Sequence, residues 1–150
     1  MATADQIHAD PSALLKLHLH EPESRVMAAW RARQAGALAV THHGRVEMIN
    51  GLALAAHRGL LSDAACQAAL AALDDDFHHG RYRLADLLWR STLNRAAQLS
   101  RTHSRALGTR TLDVLHVASA LELGLCQFLT FDLRQQELAR ATGLKLVTPR

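Results

Sequence analysis

The sequence predicts an α/β fold, a mostly parallel sheet with helices on both faces. Short apolar runs alternate with longer helical stretches along the chain. The strand-like runs are apolar without polar alternation, as expected of strands covered on both sides. No repeat, low-complexity tract or Pro/Gly-rich hinge divides the chain, and its 150 residues suit one domain, 1–150, with a proper core.

The elements follow in order. A weak strand, QIHA, ends at Asp10. A helix starts at about Ser12, whose hydroxyl suits an N-cap, and Pro22 interrupts it. A second helix runs from near Glu23 to about Gln34 and stops before Gly36. ALAVT at 37–41 reads as a buried strand, and 45–58 as a helix stopped by Gly59. Ser62 and Asp63 open a helix to about Asp76, and YRLAD at 82–86 is a short strand. A long helix covers 87–107 with Gly108 after it, and another runs from Thr111 to Gly124. CQFLTF at 126–131 is the clearest strand. A short helix at 135–142, closed by Gly143, leads to a last strand, LKLV at 144–147.

Composition excludes several classes. Hydrophobic residues make up 49% and charged residues 21%, an ordinary globular balance. No apolar run approaches the ~18 residues of a membrane span. The start, MATADQIHADPS, has no basic region followed by an apolar stretch, so no secretory signal is expected and the protein reads as cytoplasmic. Cys66 and Cys126 form no C-x-x-C pair and read as reduced core thiols. A net charge of +3, with a pI near 9.4, permits a nucleic-acid partner without demanding one. The arginines fall in small scattered groups, which suits solvated helix faces.

Against this background four acids stand out: Asp10, Glu47, Asp113 and Asp132. Each lies in or beside an apolar stretch, where a carboxylate is costly unless compensated. Singly, each has a structural explanation. Asp10 is a turn residue before Pro11, Glu47 a salt-bridge partner for an Arg or His, Asp113 a first-turn helix acid, and Asp132 an N-cap. Together they point to one site. In open parallel sheets ligands bind beyond the carboxyl ends of the strands, where Asp10 and Asp132 both fall. Glu47 shares a helix face with Asn50, Gly51 and Leu54, on a helix apolar nearly all round.

Clustered carboxylates repel, and a hard divalent cation relieves that repulsion. Mg²⁺, or Mn²⁺ in its place, prefers oxygen ligands, binds phosphate oxygens and acidifies water for in-line attack on phosphorus. Ser12 and Thr130, each two residues from an aspartate, can hydrogen-bond a ligand carboxylate or bind a metal water. No G-x-x-x-x-G-K-[ST] loop is present. Among ten histidines there is no H-x-x-x-H pair and no Cys/His cluster with zinc spacing, so structural or solvent roles are expected. His116, one turn from Asp113, is the exception, placed to orient a carboxylate or contact a phosphate.

Three stretches carry a family resemblance: DPSALLKLHLHEPES, RVEMINGLALAAHRGLLS and RTLDVLHVASALELGLCQFLTFDLRQQELARATGLKLVTP. They resemble the PIN-domain ribonucleases, and among these the VapC-type toxins of bacterial toxin–antitoxin pairs. The resemblance implies a three-layer α/β/α sandwich with a central, mostly parallel sheet of four to five strands. It implies metal-dependent cleavage of RNA phosphodiester bonds, with Asp10, Asp113 and Asp132 on the principal Mg²⁺ and Glu47 completing the pocket. Ser12 matches the family's small hydroxyl after the first acid. Arginines at the rim, Arg110 and Arg45, would hold the RNA backbone. A homodimer and a cognate antitoxin, covering the pocket with an arginine against the carboxylates, are also implied. One departure is Pro11, where the family usually has Thr or Ser. Another is a first strand less apolar than usual. Two rival readings are a non-catalytic module that binds RNA or protein and a metal-dependent nuclease acting on DNA. The presence of all four acids argues against the first, and the lack of an arch or helical insertion against the second.

Overall fold

The computed structural model describes residues 2–150. Its centre is a five-stranded, fully parallel sheet built from β2 (Ile7–Ala9), β4 (Leu38–Thr41), β5 (Tyr82–Ala85), β6 (Gln127–Leu129) and β7 (Lys145–Leu146), in the order β5-β4-β2-β6-β7. Two short segments not expected from the sequence, β1 (Ala2–Thr3) and β3 (Gln34–Ala35), form a separate parallel pair. Two residues each are too few to leave a periodic signal.

Side-chain alternation divides the core into two layers. Ile7, Ala9, Leu38, Val40 and Leu129 face one side of the sheet. There they pack on α1 (Pro11–Leu15), α2 (Ser24–Ala32), α3 (His42–His57) and α4 (Asp63–His78) through Leu14, Met27, Trp30, Met48, Leu52 and Leu73. Phe128 faces the other side and packs on α7 (Thr111–Glu122) and α8 (Leu133–Ala141) through Val114, Val117, Ala120 and Leu138, with Ala96 and Leu99 of α5 (Trp89–Leu99) beyond. The result is a three-layer α/β/α sandwich.

The chain runs outward from β2 through β4 to β5, then returns to place β6 on β2's other side before adding β7. Strand order therefore reverses between β2 and β6. The residues that follow those two strands, Asp10 and Thr130–Asp132, lie where a parallel sheet opens a crevice. The Asp10 N–H donates to the Leu129 carbonyl at 2.9 Å and holds the two strand ends side by side.

Several expectations need correction. Ser12 is not the cap of the first helix. Asp10 is, with Pro11 at the first helical position, where a fixed φ and a missing N–H cost nothing. That helix ends at Leu15, because the following turn sends His18 to the Tyr82 hydroxyl and Lys16 to Glu21 and Glu23. Helix α3 begins three residues earlier than expected, capped by the Thr41 hydroxyl on the Gly44 N–H. The expected long helix is α5, then a π-helical turn (Ser100–Ser104), then α6 (Arg105–Leu107), ending at Gly108 with φ of 68°. Cys66 is a buried thiol, whereas Cys126 is exposed because it precedes the buried part of β6. No helix among the described residues is long and apolar enough to cross a membrane.

Candidate metal centre

Local chain geometry places each acid. Asp10 caps α1 and accepts the Ser12 N–H and hydroxyl on Oδ2. Asp113, in the first turn of α7, accepts the Arg110 N–H on Oδ2 at 2.9 Å. Asp132 caps α8 and accepts the Gln135 N–H on Oδ1 at 3.0 Å. The capping explanation and the shared-site explanation are thus compatible, because each aspartate spends one oxygen on a helix N-terminus and keeps the other for the cleft. Three positive helix ends also converge on the same spot and favour negative charge there.

Asp10, Glu47, Asp113 and Asp132 all line one cleft of about 610 Å³, together with Ser12, Asn50, Gly51, Arg110, His116 and Gln135. Asp10 and Asp113 are each only 6% exposed. Glu47 reaches the cleft from α3, where its Oε2 accepts from His116 Nε2 at 2.5 Å. His116 Nε2 is also 3.9 Å from Asp10 Oδ1, so this ring stands between the helix acid and the first aspartate. Gly51 lets α1 approach α3: a Cβ there would sit 2.6 Å from a Leu15 methyl.

Gln135 is the residue the sequence did not reveal. It is 2% exposed, and its Nε2 donates to Asp10 Oδ1 at 3.1 Å and to Asp113 Oδ1 at 3.2 Å. The only local signal is its place three residues after the Asp132 cap, where a Gln usually reaches back to its own helix start. Here it turns into the cleft instead, and its Oε1 is buried without a partner.

The remaining expected residues separate clearly. Thr130 lies behind the cleft, its Oγ1 accepting the Asp132 N–H at 3.1 Å. Arg110 stands at the rim, its side chain 71% exposed, 3.5 Å from Asp113 and 3.9 Å from Asp132. Arg45 is not brought to the cleft. Two positions before Glu47, it points ~200° around the helix, where it meets Asp74 at 3.9 Å and the Phe77 ring.

Three histidines extend the site inward. His43 rings lie 4.8 Å from His116, and His8 lies 5.6 Å from His116 while stacking on Phe128. His8 is 1% exposed with both ring nitrogens unpartnered. Burial, and then the nearby His116 and His43, hold its pKa well below the ordinary histidine range. Burial and His116 push His43 down to about 4 against the opposing pull of Glu47.

The donor set suits a hard cation. The non-capping oxygens of Asp10 and Asp113 share a single amide donor, Gln135 Nε2, with an unfilled acceptor, Gln135 Oε1, on the same side chain.

A family model for the PIN domain matches residues 7–141. The chain belongs to the PIN-domain family. Among solved structures it is similar to Mycobacterium tuberculosis VapC20, a toxin that cleaves the sarcin–ricin loop, at 19% identity over 95% of this chain and 99% of that one, with a TM-score of 0.68. It is likewise similar to FitAcB from Neisseria gonorrhoeae, at 18% identity over 95% of this chain and 97% of that one, with a TM-score of 0.65. At these identities the likeness is one of fold. No curated protein is detectably similar in sequence.

Proposed function

We propose that this PIN-domain protein is a divalent-metal-dependent endoribonuclease, 1–150 forming one nuclease domain, and that it is the toxin of a toxin–antitoxin pair. The observation that supports the chemistry most directly is the convergence of Asp10, Glu47, Asp113 and Asp132 on one cleft at the strand-order reversal. The structural likeness to a loop-cleaving toxin supports the substrate class and the role.

In this reading Asp10, Asp113 and Asp132 would hold Mg²⁺, or Mn²⁺ in its place. When bound, the ion neutralises charge on the scissile phosphate and acidifies water. Glu47 orients the attacking water and takes its proton, held in place by His116. Water adds to phosphorus, and the ribose oxygen on the opposite side leaves. Ser12 keeps the Asp10 carboxylate turned toward the cleft. Arg110 at the rim holds a phosphate of the RNA backbone. Homodimerisation and a cytoplasmic location belong to the same reading. So does a cognate antitoxin that sets an arginine against the carboxylates, exploiting the strength of charge-assisted bonding.

The test is RNA cleavage by purified protein. Mg²⁺ or Mn²⁺ should support cutting. EDTA, Asp10→Asn and Asp113→Asn should each abolish it while circular dichroism stays unchanged. Cutting that persists in EDTA, or in both variants, overturns the reading.

A further inference from the structure

Beside the aspartates lies a cluster with different chemistry. Ligand atoms of His43, Glu47 and His116 all fall within 4.8 Å of one another. His43 and Glu47 are one turn apart on α3, with His43 Nδ1 4.0 Å from Glu47 Oε2. His116 comes from α7 and meets the same oxygen through Nε2.

The hydrogen bonds around His43 determine which nitrogen carries its proton. The Ser119 hydroxyl donates to the Leu115 carbonyl at 2.7 Å. Its oxygen can therefore only accept from His43 Nε2, which lies 3.2 Å away. The proton of the neutral ring is thus on Nε2, and Nδ1 presents a lone pair. That lone pair is buried, has no hydrogen-bond partner and faces a carboxylate oxygen, which also has no proton to offer. Two acceptors facing each other at the half-buried wall of the cleft lack only a cation between them. An imidazole whose far nitrogen is tied down by a hydrogen bond is also the usual arrangement of a metal-binding histidine.

We propose that His43 Nδ1, Glu47 Oε2 and His116 Nε2 form a second cation site, selective for a borderline transition-metal ion of the Zn²⁺ class. Two nitrogens and one carboxylate oxygen disfavour Mg²⁺ and suit Zn²⁺. Glu47 and His116 line the cleft, so the remaining coordination positions open into it. The hydrogen bond from His116 Nε2 to the Glu47 carboxylate places the ring proton on that nitrogen, and Zn²⁺ binding moves it to Nδ1, which is buried without a partner. Sharing Glu47 links the two sites, so an ion here withdraws that carboxylate from the aspartate cluster.

The test reads metal binding alone and stands apart from RNA cleavage. The full chain is titrated with Zn²⁺ in excess Mg²⁺ by calorimetry, and with Co²⁺ by visible absorption. One ion per chain should bind. Zinc-edge X-ray absorption should show imidazole nitrogens. His43→Ala should weaken binding by roughly 100-fold, and Ser119→Ala, which keeps every ligand but frees the His43 ring, by roughly 10-fold. The double variant Asp10→Asn/Asp113→Asn should still bind Zn²⁺, at least as tightly as the parent does in excess Mg²⁺, because Mg²⁺ no longer competes for Glu47. Circular dichroism and thermal melts establish that each variant is folded, and Ser119→Ala carries the test if His43→Ala is not. Unchanged binding in the folded histidine or serine variant, loss of binding in the aspartate double variant, or an all-oxygen absorption spectrum overturns the proposal.

Discussion

Gln135 ties Asp10 to Asp113 through a single amide nitrogen, with donor–acceptor distances of 3.1 and 3.2 Å. Two buried carboxylates from different helix ends are thus held together by one neutral side chain, where their mutual repulsion would otherwise drive them apart.

Replacing Gln135 by Leu removes both donors and leaves two buried acceptors facing each other. The loss in stability is expected to be about 1–3 kcal/mol in EDTA. Mg²⁺, by taking over the bridging, should shrink that loss. Urea denaturation with and without Mg²⁺ checks this, and equal losses in both conditions would count against the bridging role.

Glu47→Gln retains a partner for His116 but removes the group that accepts a proton. RNA cleavage should fall about 100-fold or more with RNA binding little changed. Single-turnover kinetics together with a binding assay in Ca²⁺ separates the two effects.

Arg110→Ala should weaken RNA binding and lower the salt slope of log Kd by about one, the signature of one lost phosphate contact. Arg45→Ala, with its side chain turned toward Asp74, should leave that slope unchanged. Filter binding across a salt series reads both.

His8 is buried with neither ring nitrogen hydrogen-bonded. His8→Leu keeps a similar volume against Phe128 and removes the stranded polar atoms. It should stabilise the fold by about 1–2 kcal/mol, read from the urea midpoint.

Acid should destabilise the protein through its buried histidines. His8, His18 and His43 all have lowered pKa values in the folded chain, with burial the leading cause. The unfolded chain, with ordinary values near ~6.5, therefore binds more protons as the pH falls. Their stabilising contribution is complete above that value. It is lost on acidification from about 6.5 toward the folded values, which for His43 is about 4. Urea midpoints should drop between pH 7 and pH 5, and His8→Leu should flatten the drop.

Much of the fold was legible because the sheet is parallel and doubly covered. Apolar runs at 37–41 and 126–131 and the Ser62 cap marked β4, β6 and the start of α4 within a residue or two. The first helix was misread at its cap because Asp10 and Ser12 both carry capping groups. Only the position of Pro11, which needs a donor-free first turn, decides between them. The π-helical turn at Ser100–Ser104 left no trace, since an i→i+5 turn hardly disturbs a 3.6-residue pattern.

By itself the sequence determined the alternation of strands and helices and singled out four carboxylates in apolar surroundings, because local propensity and burial cost are written residue by residue. Only the tertiary structure decided which side chains meet them. Gln135 was brought between Asp10 and Asp113, and His43 and His116 were drawn together from two helices around Glu47. Such meetings depend on where strand ends and helix ends converge in space, and no spacing along the chain encodes them.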